Sequence, residues 1–330
     1  MMICSGCEHK DLCLLHPHTA KMKIDVDWSK FIEKENPTGM TVMLYPHSNG
    51  QSIQVLSNTL SHVYAELEAG YYNSIAFNQS STEFGTIDFK NLTDYNKAEA
   101  VVASSTATKW YSKSEDERIA VEPEWLGVDR FEMAHVAEYM IKQTQEEYSK
   151  STRTKSRSTV EYTLGKHTPE NVIYTVKVKI GLKRIYNLKK VRAALSGISE
   201  GVKLATGKTS ENEVTYLLES WVMEQDPSNP VNGYVTATFT CFGLPSDHLA
   251  QAIENTITFS LLLVDNKTQL DYKLHVGDKF TTDEGKDLIL YLNIEIDEPL
   301  PDVEPVDSSS GGFEATVDDW GEEIEHSILL

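Results

Sequence analysis

Along most of the chain, apolar and polar residues alternate at every second position, which is the period of a half-buried β-strand. The first such run places Met22, Ile24, Val26 and Trp28 on one face and Lys23, Asp25 and Asp27 on the other. Asn36-Pro37-Thr38-Gly39 breaks it, and Thr41 to Tyr45 opens a second apolar run. Ser48-Asn49-Gly50 then predicts a tight hairpin, because Asn-Gly adopts the positive φ angles of a type I′ turn, with Ile53 and Val55 returning on the partner strand. A further strand pair is expected around Glu68-Ala69-Gly70, followed by Tyr71 to Phe77. From Phe131 to Lys150, Met133, Val136, Ala137 and Met140 suit a helix face or a strand, and the segment is read as a strand entering a loop.

Ser149 to Ser158 is rich in Ser, Thr, Lys and Arg and offers no apolar face to bury, which makes it the expected linker. Alternation resumes at Val172, with Val176, Val178 and Ile180 opposite Lys177 and Lys179. More strands are expected at Thr215 to Met223, at Val235 to Cys241 after an Asn232-Gly233 turn, at Ile257 to Leu263 and at Leu290 to Ile296. Short strands punctuated by turn residues indicate an all-β fold of two tandem sandwiches and not a βαβ fold. The expected organisation is an N-terminal arm over 1–20, a first sandwich over 21–150, a second over 151–300 and a tail over 301–330.

The composition narrows the function. A chain of 330 residues with 40% hydrophobic residues has enough apolar material for two ordinary cores. Its formal net charge of -20 repels phosphate backbones and argues against a nucleic-acid partner. No apolar run reaches the ~18 residues that a spanning helix needs, so membrane attachment is expected through a lipid. Beyond Asp297 there is no Lys or Arg, while Phe313, Val317, Trp320, Ile324 and Leu330 punctuate the acids. Such an acidic tail is expected to be extended and flexible unless something pairs with it, either as an added strand or on a basic surface such as that of Lys177 and Lys179.

The chemistry concentrates in the first twenty residues, MMICSGCEHKDLCLLHPHTA. Ser5-Gly6-Cys7 places small residues directly before a cysteine, as a lipoprotein signal peptidase requires, and makes Cys7 the candidate lipid-bearing residue. The basic start and apolar run of an export signal do not fit into Met1, Met2 and Ile3, so this reading expects a start upstream. Cys4, where a lipobox prefers Leu, Val or Ile, departs from the pattern. Cys4-x2-Cys7 and Cys13-x2-His16, with His9 and His18 nearby, also have zinc-like spacing, but nothing downstream repeats it and Pro17 stiffens the site, so no metal is expected. Cys241 falls in a strand and is expected to be a buried hydrophobe.

Other motifs fail on context. Gly197-Ile198-Ser199-Glu200-Gly201 matches G-x-S-x-G, yet the βαβ setting of a nucleophile elbow is missing. Gly201 to Thr209 ends in Gly207-Lys208-Thr209 but has five residues between glycines where a phosphate loop has four. Asp25 and Asp27 share a strand face and read as a solvated edge, with a divalent cation as the alternative. Neither catalytic residues nor a cofactor site are expected.

Cys7-Glu8-His9-Lys10-Asp11-Leu12-Cys13 with His16-Pro17-His18-Thr19-Ala20 resembles the mature start of Bacteroidetes-type lipoproteins of the fimbrillin superfamily. Ala194-Leu195-Ser196-Gly197, Gly201, Gly207 and Phe242-Gly243-Leu244-Pro245 resemble the middle of the second domain in the same group. The resemblance implies two transthyretin-like (Greek-key) β-sandwiches, acylation at Cys7 and residence at the outer membrane and cell surface. It also implies a role as anchor or subunit of thin fimbriae, with other surface subunits as partners through strand contacts. The alternative is a glycan-binding surface lipoprotein using Trp110, Tyr111, Trp125 and Trp221, for which a coplanar pair of exposed rings is the expected geometry.

Overall fold

The computed structural model describes residues 18–31, 34–48, 50–105, 110–111, 117–154, 160–246, 255–282 and 288–306. Cys7, the zinc-like cluster and the acidic segment from Phe313 onwards lie outside the described residues. The chain is all-β and folds as two compact units, one of 1–80, 93–95 and 127–170, the other of 81–92, 96–126 and 171–330.

In the first unit, β1 (Ala20–Val26), β2 (Met40–Pro46), β3 (Ile53–Ser57), β4 (His62–Leu67) and β5 (Gly70–Asn78) follow in order. The chain then contributes β6 (Ile87–Lys90), β7 (Glu99–Val102) and β8 (Ile119–Ala120) to the second unit. It returns to the first with β9 (Gly127–Val136), helix α1 (Glu138–Thr154) and β10 (Glu161–His167), and β11 (Glu170–Asn171) marks the boundary. β1 lies between β10, to which it is parallel, and β4, to which it is antiparallel. The facing sheet has the order β11-β9-β5-β2-β3, in which β9, β5, β2 and β3 are mutually antiparallel neighbours.

Burial explains these assignments. β1 alternates as the sequence predicts, with Met22, Ile24 and Val26 in the core. β2 is buried at every position from Met40 to Tyr45, so both its faces are covered, and its residues read as an apolar run interrupted only by Thr41, whose hydroxyl donates to the Gln79 carbonyl at 2.7 Å. β2 and β3 pair as a hairpin, but with Leu44 opposite Ile53 the connection is longer than the two-residue turn expected at Asn49-Gly50; Asn49 itself lies outside the described residues. Glu68-Ala69-Gly70 differs: β4 and β5 flank it but enter opposite sheets, so it is a corner of the sandwich and not a hairpin.

The second unit continues with β12 (Tyr174–Lys183), β13 (Leu188–Ser199), β14 (Gly201–Lys203), β15 (Glu213–Leu218), β16 (Val222–Asp226) and β17 (Asn229–Cys241). β18 (Thr256–Leu263), β19 (Gln269–His275), β20 (Phe280–Thr282) and β21 (Ile289–Glu295) complete it. One sheet has the order β16-β17-β12-β21-β20 and the other β19-β18-β13-β15-β8, with a small sheet β14-β7-β6. Phe239, Phe259, Leu195, Tyr216 and Leu292 are among the largest or most completely buried core residues. Cys241 is buried as expected, and burial pushes its thiol up to about 12.

Three elements depart from the sequence reading. The loop expected after Phe131 is helix α1, whose Glu, Met, Lys and Gln content favours a helix while Ile141 supplies its buried contact. That helix runs into the expected linker, and the division by contacts falls at 170/171 instead of 150/151. Asn232-Gly233 is not a turn but part of β17; the turn is Asp226 to Asn229, where Asp226 Oδ1 accepts from the Ser228 N–H at 2.8 Å. Glycine is needed at 233 because a Cβ there would collide with the Glu224 carbonyl on β16.

The same holds at Gly201, where a Cβ would meet the Ala100 carbonyl across the β14–β7 pair. Gly201→Ala and Gly233→Ala are expected to lower stability by about 1–3 kcal/mol each, the usual cost of overpacking. Urea unfolding followed by circular dichroism checks this; unchanged midpoints contradict the packing account.

Candidate functional site

The outward face of the β19-β18-β13-β15-β8 sheet carries a hollow of about 770 Å³ confined to the second unit. Register fixes its floor. Arg192, Ser260 and Asp271 form one row across β13, β18 and β19, and Ala194, Thr258 and Lys273 form the next. Ala194, Ser260 and Thr258 are short where a solvated sheet face normally carries long side chains, so the middle of the face is depressed while Lys273 and Asp271 stand at its border. Gly197, at φ +79°, sits at the β13 bulge where the floor ends.

The opposite border is built from β15 and the segment before β8. Thr215 donates its hydroxyl to Glu117, and Tyr111 donates to the same carboxylate at 2.6 Å. Burial first, and then the bond to Glu117, push the Tyr111 phenol above its ordinary value. Trp110 forms the end wall: its indole N–H donates to Glu219 at 2.8 Å, and the Arg192 guanidinium lies 4.8 Å from its ring centroid. Arg192 is only 7% exposed although it belongs to the outer face, because the indole covers it.

The sequence-predicted aromatics do not form a platform. Trp110 and Tyr111 meet edge to face, with centroids 5.7 Å apart and planes at 65°. Trp125 and Trp221 are half-buried, and Trp221 donates to the Leu218 carbonyl at 2.9 Å. Trp110 and Tyr111 are therefore not the coplanar pair that flat stacking requires.

Ser199 is fully buried, with its hydroxyl 2.9 Å from the carbonyl oxygens of Gly201 and Ser210. It ends a strand and no helix follows it, so the G-x-S-x-G match is a packing feature. Gly207-Lys208-Thr209 is a turn in which the Gly207 N–H donates to the Lys203 carbonyl at 2.8 Å. Each candidate cation carboxylate is held by a lysine: Asp25 by Lys23 at 2.7 Å and Asp27 by Lys166 at 2.8 Å. The Lys166 bond, then the Ser29 N–H, bring Asp27 down to about 2. Among the described residues no cluster of acidic, histidine or cysteine side chains is arranged to hold a metal ion.

The first unit contains a constellation that sequence reasoning missed. Ser74 on β5 lies 2.9 Å from His167 Nε2, and His167 Nδ1 lies 3.1 Å from Asp129 on β9. The partners are 93 and 38 residues apart, so no local motif announces them. Ser74 and His167 have no exposure, and Phe131 stacks on the imidazole with centroids 4.4 Å apart. A nucleophile needs a route for its substrate, and a hydroxyl sealed in the core has none. The trio is a buried network that ties β5, β9 and β10 together.

Comparison with known proteins places the chain. A family model described as a domain of unknown function (DUF5119) matches residues 6–219. The chain belongs to the DUF5119 family. No curated protein matches its sequence. A "putative adhesin" from Bacteroides ovatus is similar in structure, at 14% identity and a TM-score of 0.55, over 91% of this chain and 100% of that one. The fimbrial anchor protein Mfa2 from Porphyromonas gingivalis aligns over 84% of this chain and 90% of its own, at 10% identity and a TM-score of 0.45. This DUF5119 chain thus shares the all-β fold of the Bacteroides ovatus chain.

Burial alone would raise the Asp129 carboxyl, but the bonds from His167 and from the Thr168 N–H at 2.8 Å outweigh it and hold the group below its usual range. It therefore stabilises the native state above about pH 4, and that contribution fades as pH falls through the lower folded value. Asp129→Asn is expected to lose about 1–3 kcal/mol at neutral pH and to flatten the acid limb of stability against pH. Denaturant midpoints from pH 7 downwards test both, and a variant with the wild-type acid limb would show the network to be inert. Ser74 should also stay unlabelled by a fluorophosphonate in the native protein.

Proposed function

We propose that this DUF5119 protein is a non-catalytic, lipid-anchored subunit of a cell-surface adhesive assembly of fimbrial type, joined to its neighbours through β-strand edges. The observation that carries this reading is the likeness to the Bacteroides ovatus "putative adhesin" over the whole of that chain. The buried state of Ser199 and Ser74 agrees with a role that uses no nucleophile.

The edge best suited to strand addition is β16. It pairs with β17 on one side and ends its sheet on the other, and Val222 and Met223 are 58% and 47% exposed. Consecutive residues point to opposite faces, so the edge is uncovered on both. Unlike most protected edges it places no charge at these two positions. Acyl chains on Cys7 would contribute about 0.8 kcal/mol per buried CH₂, enough for stable attachment only when more than one chain is present. The acidic segment from Phe313 to Leu330 would dock on the exposed face of β12, where Lys179 lies 3.9 Å from the Tyr234 ring centroid and Lys177 5.7 Å from that of Tyr291.

In cells expressing the gene from its genomic start, radiolabelled palmitate should enter the wild-type protein and not Cys7→Ala; a labelled Cys7→Ala protein rejects the anchor. Replacing Val222 and Met223 with Lys together should reduce co-purification with surface subunits by about tenfold with an unchanged melting curve. Unaltered co-purification removes β16 as the contact. If raising salt and deleting Phe313 to Leu330 both leave association as it was, the tail does not dock.

A further inference from the structure

We propose that the hollow on the β19-β18-β13-β15-β8 face is a binding site for an uncharged saccharide. This goes beyond the assembly role and does not depend on it: the hollow is carried by strand faces, whereas assembly is assigned to an edge on the other sheet of the same unit.

Four features of the hollow select the ligand. Its volume lies in the range of small-molecule sites, about 300–1,000 Å³. Its charge is balanced, with Arg118, Arg192 and Lys273 against Glu117, Glu213 and Asp271, so neither an anion nor a cation is favoured as a whole. Arg118 is moreover ion-paired with the buried carboxylate of Glu200, which Lys90 also holds at 2.8 Å. Donors and acceptors surround the hollow on all sides, which matches a ligand whose every hydroxyl both donates and accepts. Carboxylates and the Gln269 amide, bonded to Asp271 at 3.0 Å, are planar groups suited to adjacent hydroxyl pairs.

The fourth feature is the indole wall. Trp110 is fixed in place by Glu219 through its N–H and by Arg192 against its ring, so the ring is preorganised before any ligand arrives. The ring face turned away from Arg192 would meet the C–H face of a sugar while the polar floor meets its hydroxyls. Thr258 and Ser260 place further hydroxyls at the centre of that floor. A peptide would need an apolar recess for its side chains, and the floor offers only Ala194 and Val214. The edge-to-face arrangement of Trp110 and Tyr111 rules out stacking along a flat chain and suits a sugar that enters end-on, such as the terminal residue of a glycan.

The full-length protein is tested on a printed array of neutral, sialylated and sulfated glycans, with a panel of unmodified peptides alongside. The strongest hit is then titrated by calorimetry. The expected result is saturable binding of a neutral glycan that Trp110→Ala and Asp271→Ala each weaken by about tenfold or more, while Leu56→Ala, at an exposed position of the first unit, leaves it unchanged. Asp271→Ala decides the matter if loss of the indole disturbs folding in the melting curve. Absence of binding, binding confined to charged glycans or to peptides, or full affinity in Asp271→Ala overturns the proposal. Surface assembly of Asp271→Ala should be normal, so failure here is distinguishable from failure of the assembly reading.

Discussion

The fold depends on one backbone arrangement, the parallel pairing of an early strand with a late one. β1 lies between β10 and β4, parallel to the first and antiparallel to the second. β12 repeats this, parallel to β21 and antiparallel to β17. Every main-chain donor and acceptor on such a strand needs a partner once the faces are covered. The core of either unit is therefore unfinished until its last strand arrives. Lys21 and Glu161, paired across the β1–β10 ladder, are 140 residues apart, and contacts at that separation make folding slow.

This separation also explains what was legible in the sequence. Local alternation is printed in the residues themselves, so Met22, Ile24 and Val26, or Val176, Val178 and Ile180, report their strands directly. Which strands become neighbours is not local information. The Glu68-Ala69-Gly70 corner and the assignment of β6, β7 and β8 to the second unit depend on partners far along the chain. Asn-Gly misled at 232–233 because the same dipeptide that makes a hairpin turn also suits a close approach between two strands, where only the missing Cβ matters. Helix α1 was hidden by its polar surface: with Ile141 as its buried side chain it has almost no apolar stripe.

The candidate site was legible only in part. Trp110 and Tyr111 stood out as aromatic residues in a polar stretch. Arg192, Thr258 and Asp271 did not, since each occupies the polar position of an alternating strand and reads as ordinary solvated surface. That Arg192 is buried follows from an indole 82 positions earlier in the chain. The Ser74, His167 and Asp129 network illustrates the converse, a catalytic-looking geometry whose burial makes it structural. Proximity of the right atoms is necessary for chemistry, but solvent access decides between a mechanism and a rivet.

The excursion of 81–92 and 96–126 out of the first unit and into the second has an evolutionary consequence. Because β8 completes a sheet whose other members begin only at β13, the two units are interleaved along the gene. No single recombination joint, wherever it falls, delivers one intact unit to a new host protein while leaving the other whole. A unit of such a chain can be moved intact only when two joints are made together, so point change and loop growth are the simpler routes to variety.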